Sequence, residues 1–253
     1  MKTKFSKFLL LFALLLVVNA CKKDDDTNAI DERAENLLGL GVSAEDILSD
    51  DIYQTLVVEL VYSPGFRPEQ ETIDNFRLFL NQRVNKPGGI LIVENEIDPP
   101  QGAPYTTAEI REIENANRTR YTNGDEIAVY VFFANGNASG DTASTVTLGT
   151  AYRNTSMVVY QETLQSLDVD RFLVEATTLR HEFGHLLGLV NILNDDIHPT
   201  DHEDPDNNKH CVVEDCLMYF ASTIPSTLPN PTAADIPTLD PLCLADLRAK
   251  GGK

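Results

Sequence analysis

EATTLRHEFGHLLGLVN, Glu175 to Asn191, decides how the rest of the chain is read. It contains His181-Glu182-x-x-His185-x-x-Gly188, and two histidines four apart lie on one face of a helix. Both imidazoles can then reach a single zinc ion while Glu182 points beside the metal at a bound water, the layout of a metal-dependent hydrolase. On the opposite face Phe172, Ala176, Leu179, Phe183 and Leu186 recur at helical spacing, so the segment can pack on a core and still offer His181 and His185 to a cleft. All five histidines (His181, His185, His198, His202, His210) fall in this helix and the loop after it. Histidines scattered through a core would not cluster so. The pattern is short enough to arise by chance in ordinary helices, where the pair would be polar surface, and its context has to decide.

The chain has 253 residues, 42% hydrophobic and 23% charged, which suits one domain of about two hundred residues with short appendages. Residues 1–20 carry Lys2, Lys4 and Lys7, an apolar run from Phe8 to Val18, then Asn19-Ala20-Cys21. This is the make-up of a signal peptide, and the apolar run is short for a membrane span. The small residue before Cys21 resembles a bacterial lipobox, which implies cleavage there and a lipid on Cys21. Lys22-Lys23-Asp24-Asp25-Asp26 is a charged tether too polar to fold. It resembles the acidic export signal of Bacteroidetes surface lipoproteins, implying the outer membrane and its cell-surface face. Loss of three lysines with the leader moves the formal charge from −19 to −22, so nucleic acid is excluded as a partner.

Residues 21–50 read as the lipidated N-terminus and a linker, with Ser43-Ala-Glu-Asp46 as a capping box for a short helix to Leu48. The folded domain is expected over 51–253. Tyr53 to Tyr62 reads as a first strand, a helix follows Pro68 with Ile73, Phe76, Leu80 and Val84 on one side, and Ile90 to Val93 is a short apolar strand of the buried kind. Thr106-Thr-Ala-Glu109 caps a second helix, and Glu126 to Phe133 is a third, central strand. Thr145 to Tyr152 and Ser156 to Gln161 suggest two more strands about the turn Arg153-Asn154-Thr155, the former an edge strand bordering the cleft. The order is β-α-β-α-β-β-β followed by the histidine helix. From Ile192 to Lys209 the chain is a polar loop in which Asp204 and Asp206 lack the spacing of an EF-hand, so a solvated loop is preferred to a calcium site. Pro225 to Pro237 is expected to wrap the surface, and Asp240-Pro241 starts a last helix that Gly251-Gly252 ends.

His210-Cys211-x4-Cys216-x-Met218 supplies the missing context. With HExxHxxG it resembles the metzincin metallopeptidases, and His-Cys-x4-Cys-x-Met resembles the archaemetzincins in particular. The resemblance spans about Tyr53 to Lys250, with its specific motifs within residues 181–218. It implies an α+β (mixed α/β) zincin domain in which a twisted mixed sheet packs on helices. It further implies zinc on His181, His185 and His210, a helix turned sharply at Gly188, an apolar floor at Met218 and Glu182 as general base. The sequence departs from the family in three places. Asn191 stands where metzincins usually place the third histidine, and His210 arrives only after an insertion, as in leishmanolysin-like members. Cys243-Leu-Ala-Asp246 replaces a later Cys-x-x-Cys that completes a second, structural zinc, so a four-thiolate site is ruled out. Tyr219 follows Met218 directly and is given no oxyanion role.

For the third ligand His202 is the runner-up to His210, since the acids after it could orient its ring. An exported protein favours a Cys211–Cys216 disulfide with Cys243 buried as a small apolar residue. The competitor is a second zinc on Cys211, Cys216, Cys243 and Asp246. The function expected is that of a monomeric zinc endopeptidase, lipid-anchored at the outer membrane, acting on a protein or peptide substrate. Its rival is a binding or adhesion lipoprotein on the same fold with the zinc lost or idle.

Overall fold

A computed structural model describes residues 31, 33–193, 197–221 and 232–253, and Glu32–Lys253 forms one compact unit. The leader, Cys21 and the acidic tether lie outside the described residues, as does most of the stretch from Pro225. Among the described residues no helix is long and apolar enough to cross a membrane.

Five strands form one sheet in the order β2-β1-β3-β5-β4: β1 is Thr55–Tyr62, β2 Gly89–Glu96, β3 Glu126–Phe133, β4 Gly149–Arg153 and β5 Ser156–Val159. Each of the first four pairs in parallel with its neighbour, and only β4 runs antiparallel. β1 and β3 read LVVELVY and EIAVYVFF because both faces of a central parallel strand are covered. Alternation sorts their side chains. Leu56, Val58, Leu60, Val129, Val131 and Phe133 enter one core with helices α1 (Ala44–Leu48), α2 (Gln70–Arg83), α5 (Arg171–Leu186) and α6 (Pro241–Ala249); Val61, Tyr130 and Phe132 enter a second with Ile110 of α3 (Thr107–Asn117).

Two expectations about the sheet change. Ile90 to Val93 is not a buried strand between helices. β2 lies at the sheet edge with only β1 beside it, and Leu91 is 48% exposed. An additional helix, α4 (Gln161–Ser166), stands between β5 and α5; at six residues it is too short for a hydrophobic period to announce it. β4 takes the opposite edge, as expected of the strand that borders the cleft. The capping box at Thr106 and Glu109 is present, while that at Ser43 is not: Ser43 Oγ accepts from Asn154 Nδ2 at 2.8 Å instead.

The linker reading of residues 33–50 is also corrected. Ala34–Asn36 is a turn of 3-10 helix, and Ile47 and Leu48 are wholly buried in the main core. Asn36 is fully buried too, and its amide is saturated. Nδ2 donates to Thr122 Oγ1, Ala128 O and Thr155 Oγ1 at 2.9, 3.0 and 2.9 Å, while Oδ1 accepts from Thr122 N at 2.8 Å. A polar residue inside an otherwise charged stretch carried no hydrophobic signal, which is why the boundary read from apolar periodicity fell near Asp50. Asn36→Ala leaves the Thr122 N–H unpaired in the interior. We expect it to lower unfolding stability by about 1–3 kcal/mol in a denaturant titration, whereas a true linker residue would leave the midpoint unchanged.

Candidate metal centre

Asp170 starts α5 by accepting the Leu173 N–H at 3.0 Å, and 14 of the 16 residues that follow are buried. Burial on nearly every side corrects the picture of one packing face and one open face. α2 covers the apolar side, where Phe76 meets Phe183 edge-on at 5.2 Å, while β4 and the Met218 loop enclose the side that carries the histidines. A buried carboxylate fixes the first turn. Glu175 accepts from Glu69 N and Thr72 Oγ1, both at 2.8 Å, from Arg171 Nε at 2.6 Å and from Gln161 Nε2. The last turn ends in a Schellman arrangement, with Leu189 N bonded to Gly184 O, Gly188 N bonded to His185 O, and Gly188 at φ +68°. Gly188 therefore has the conformation its sequence position called for.

The turn carries the chain back beneath the helix and the loop after it brings His210 up beside the pair. The His181 and His185 rings are 4.9 Å apart, and the His210 ring is 5.3 Å from each. One nitrogen from each ring lies within 4.8 Å of the others, a spacing that can hold a metal ion. Backbone carbonyls set the tautomers of two rings: His181 Nδ1 donates to Leu217 O at 2.8 Å and His210 Nδ1 to Asn208 O at 3.0 Å, leaving each Nε2 lone pair for coordination. Burial holds His181 down to about 4 and His185 well below its ordinary range, so both are neutral at neutral pH, the form that ligates. Met218 is fully buried against Gly184, where an added Cβ would fall 2.3 Å from Sδ. It thus lies under the helix turn that separates His181 from His185.

Glu182 faces β4. Its Oε2 accepts from Ala151 N at 2.9 Å, and Gly149 leaves it room, since a Cβ there would lie 2.5 Å from Glu182 Cγ. Burial pushes this carboxyl up to about 8. Two hollows meet at the histidines, of about 280 and about 300 Å³. The first is lined by Val146, Leu148, Thr177, Thr178 and Phe220, the second by Leu40, Thr150, Ala151 and Ile192, and both reach His181, Glu182 and His210.

The other candidate ligands lie elsewhere. Asn191 takes φ +56° and donates to Glu203 Oε2 at 3.1 Å. His198 Nδ1 is 3.3 Å from Asp246 Oδ2. His202, the runner-up, is buried with Nε2 3.4 Å from Cys243 Sγ. It lies beside a second cluster, in which Cys211, Cys216, Cys243 and Asp240 place their ligand atoms within 4.8 Å of one another. The expected Cys211–Cys216 disulfide is not formed. Among the described residues Cys211, Cys216 and Cys243 are all free, Cys216 Sγ is 3.6 Å from Cys243 Sγ, and Cys211 Sγ points at Asp240 Oδ2 at 3.5 Å. Hydrogen bonds from Cys211 and Cys243 hold the Cys216 thiol well below the usual range. Nor is Asp246 the fourth member as anticipated. Asp240 is, and its other oxygen caps α6 through Cys243 N at 2.8 Å. The sequence offered that aspartate only as a helix start three residues before Cys243. Alkylation under denaturing, non-reducing conditions should label all three thiols, and a chain that takes one label would restore the disulfide.

No protein-family model matches the chain, and no curated protein does. Among solved structures it is similar to archaemetzincin from Methanopyrus kandleri, with a TM-score of 0.50 and 19% identity over 78% of this chain and 96% of that one. At that identity the likeness establishes a shared fold.

Proposed function

We propose that this chain is a zinc-dependent metallopeptidase, exported and held at the outer membrane by a lipid on Cys21. The observation that carries the catalytic part is the meeting of three imidazoles with a buried carboxylate in one cleft. Rings with tautomers set by Leu217 O and Asn208 O suit zinc, and an archaemetzincin-like fold around them supports the same reading. The three thiols and Asp240 offer a soft donor set that suits a second, structural zinc. The anchor rests on the leader and Cys21 of the sequence alone.

Zinc held by His181, His185 and His210 would polarise a water molecule and the carbonyl of a bound peptide. Glu182 then takes the water proton and hands it to the departing amine. Burial raises the affinity of this carboxyl for a proton, which favours its taking one from water. Ala151 N–H keeps Oε2 from turning into the hollow. β4, with β5 on its inner side, gives its outer edge to the cleft, where an extended substrate can pair with main-chain groups.

Two results would test this. Glu182→Gln keeps the fold and the zinc but removes the proton acceptor, so peptide hydrolysis should fall by about 10²–10⁴-fold; hydrolysis at the parental rate would exclude the mechanism. In an equilibrium titration the parent should bind two zinc ions, His210→Ala only one, and His202→Ala both, with weakening of about 10–100-fold confined to the thiol site. Loss of the histidine-bound ion in His202→Ala with normal binding in His210→Ala would reverse the assignment.

A further inference from the structure

The arm before α1 has no task in the mechanism, yet it is held with more polar contacts than its length requires. Asn36 pins it to Thr122, Ala128 and Thr155, as described above. A second buried amide, Asn154 at the β4–β5 turn, grips it further on: Asn154 N donates to Leu38 O and Leu38 N to Asn154 Oδ1, both at 3.1 Å, while Nδ2 donates to Glu35 O at 2.7 Å and Ser43 Oγ at 2.8 Å. The side chains of Leu37 and Leu38, and Gly39 after them, stay exposed, and the chain then turns inward. Gly41 is buried at φ +85°, and a Cβ on it would fall 2.7 Å from Ile192 Cγ2. The arm is therefore pressed against the loop that leaves α5. Leu40 is half-buried at that contact and lines the second hollow together with Ile192, Thr150 and the three histidines.

For a peptide paired antiparallel to it, the direction of β4 tells which part that hollow would meet. β4 runs from Gly149, shared by both hollows, to Thr150 and Ala151, which line only the second; Val146 and Leu148, before the strand, line only the first. A peptide paired antiparallel to this edge lays the residues that precede its scissile bond over Thr150 and Ala151, towards Leu40. Two aliphatic side chains close that end. The charged group beside them, Lys209, is engaged, since its ammonium donates to Asn191 O.

We infer that the arm holds Leu40 as a wall of the substrate cleft on the amino-terminal side of the scissile bond, where it selects an apolar side chain; this rests on the peptidase reading of the same cleft. Leu40 is a specificity residue and has no part in proton transfer or in holding the metal. The test digests a randomised peptide library with the zinc-loaded parent, Leu40→Ala and Leu40→Glu. The parent should favour aliphatic or aromatic residues just before the cut. Leu40→Glu should lower kcat/KM for those peptides about tenfold or more, mainly through KM, and shift the preference there towards basic residues. Leu40→Ala should blunt the preference. Preferences after the cut and zinc content should match the parent, which a merely loosened fold would not allow. An unaltered profile before the cut, or equal changes on both sides of it, overturns the inference while leaving the peptidase reading intact. A zinc-loaded parent that cuts no peptide overturns the peptidase reading itself.

Discussion

One hydrogen bond joins the two halves of the site. His181 Nδ1 donates to Leu217 O, so the ring on α5 is aimed by a loop formed far along the chain. That loop is itself tied at each residue: Leu217 N donates to Thr238 O at 2.9 Å, Met218 O accepts from Cys211 N at 2.8 Å, and Met218 N approaches Cys216 Sγ at 3.4 Å. The thiol cluster thus holds the carbonyl that fixes a tautomer in the histidine cluster. Two consecutive residues, His210 and Cys211, belong one to each cluster, and no flexible joint separates them. Disturbing the sulfur side shifts the backbone that aims the nitrogen side.

Burial is the second constraint. An imidazole or carboxyl placed inside a protein must lose charge or find a partner. His181 and His185 lose theirs, whereas Glu175, on the same helix, keeps four donors around its oxygens. One helix therefore carries two kinds of buried polar group. Glu175 is saturated and serves to fix α5 on α2 and α4; Glu182 has the single bond from Ala151 and remains available for chemistry.

How much of this could be read beforehand follows from the range of each interaction. The pair His181 and His185, with Glu182 between them, is a local pattern, and helical spacing alone placed them together. Gly188 and the Asp240 start of α6 are local too. His210 was legible only through its distance to Met218, because nothing in the polar loop before it marks one histidine over another. Asp240 as a partner of three thiols, Asn36 as a plug, and the outward position of β2 all depend on contacts between segments remote in sequence. Composition is silent on those. Asn191 illustrates the converse, since it has the spacing usual for a ligand but takes a left-handed conformation and turns its amide towards Glu203.

The Lys209 ammonium rests on the carbonyl of Asn191, so the segment that separates α5 from His210 leaves and returns at nearly the same point. For such a closed excursion the entropy of joining the ends grows only with the logarithm of its length, and doubling it costs about 0.6 kcal/mol. Lengthening between fixed ends is therefore cheap, whereas moving either end would disturb the turn at Gly188 or the ring of His210. A third donor can in this way stand far from the first two in the chain at a closure cost that grows only slowly with the separation. Within that detour His198 and His202 are held against α6, so added sequence is cheapest away from those two residues.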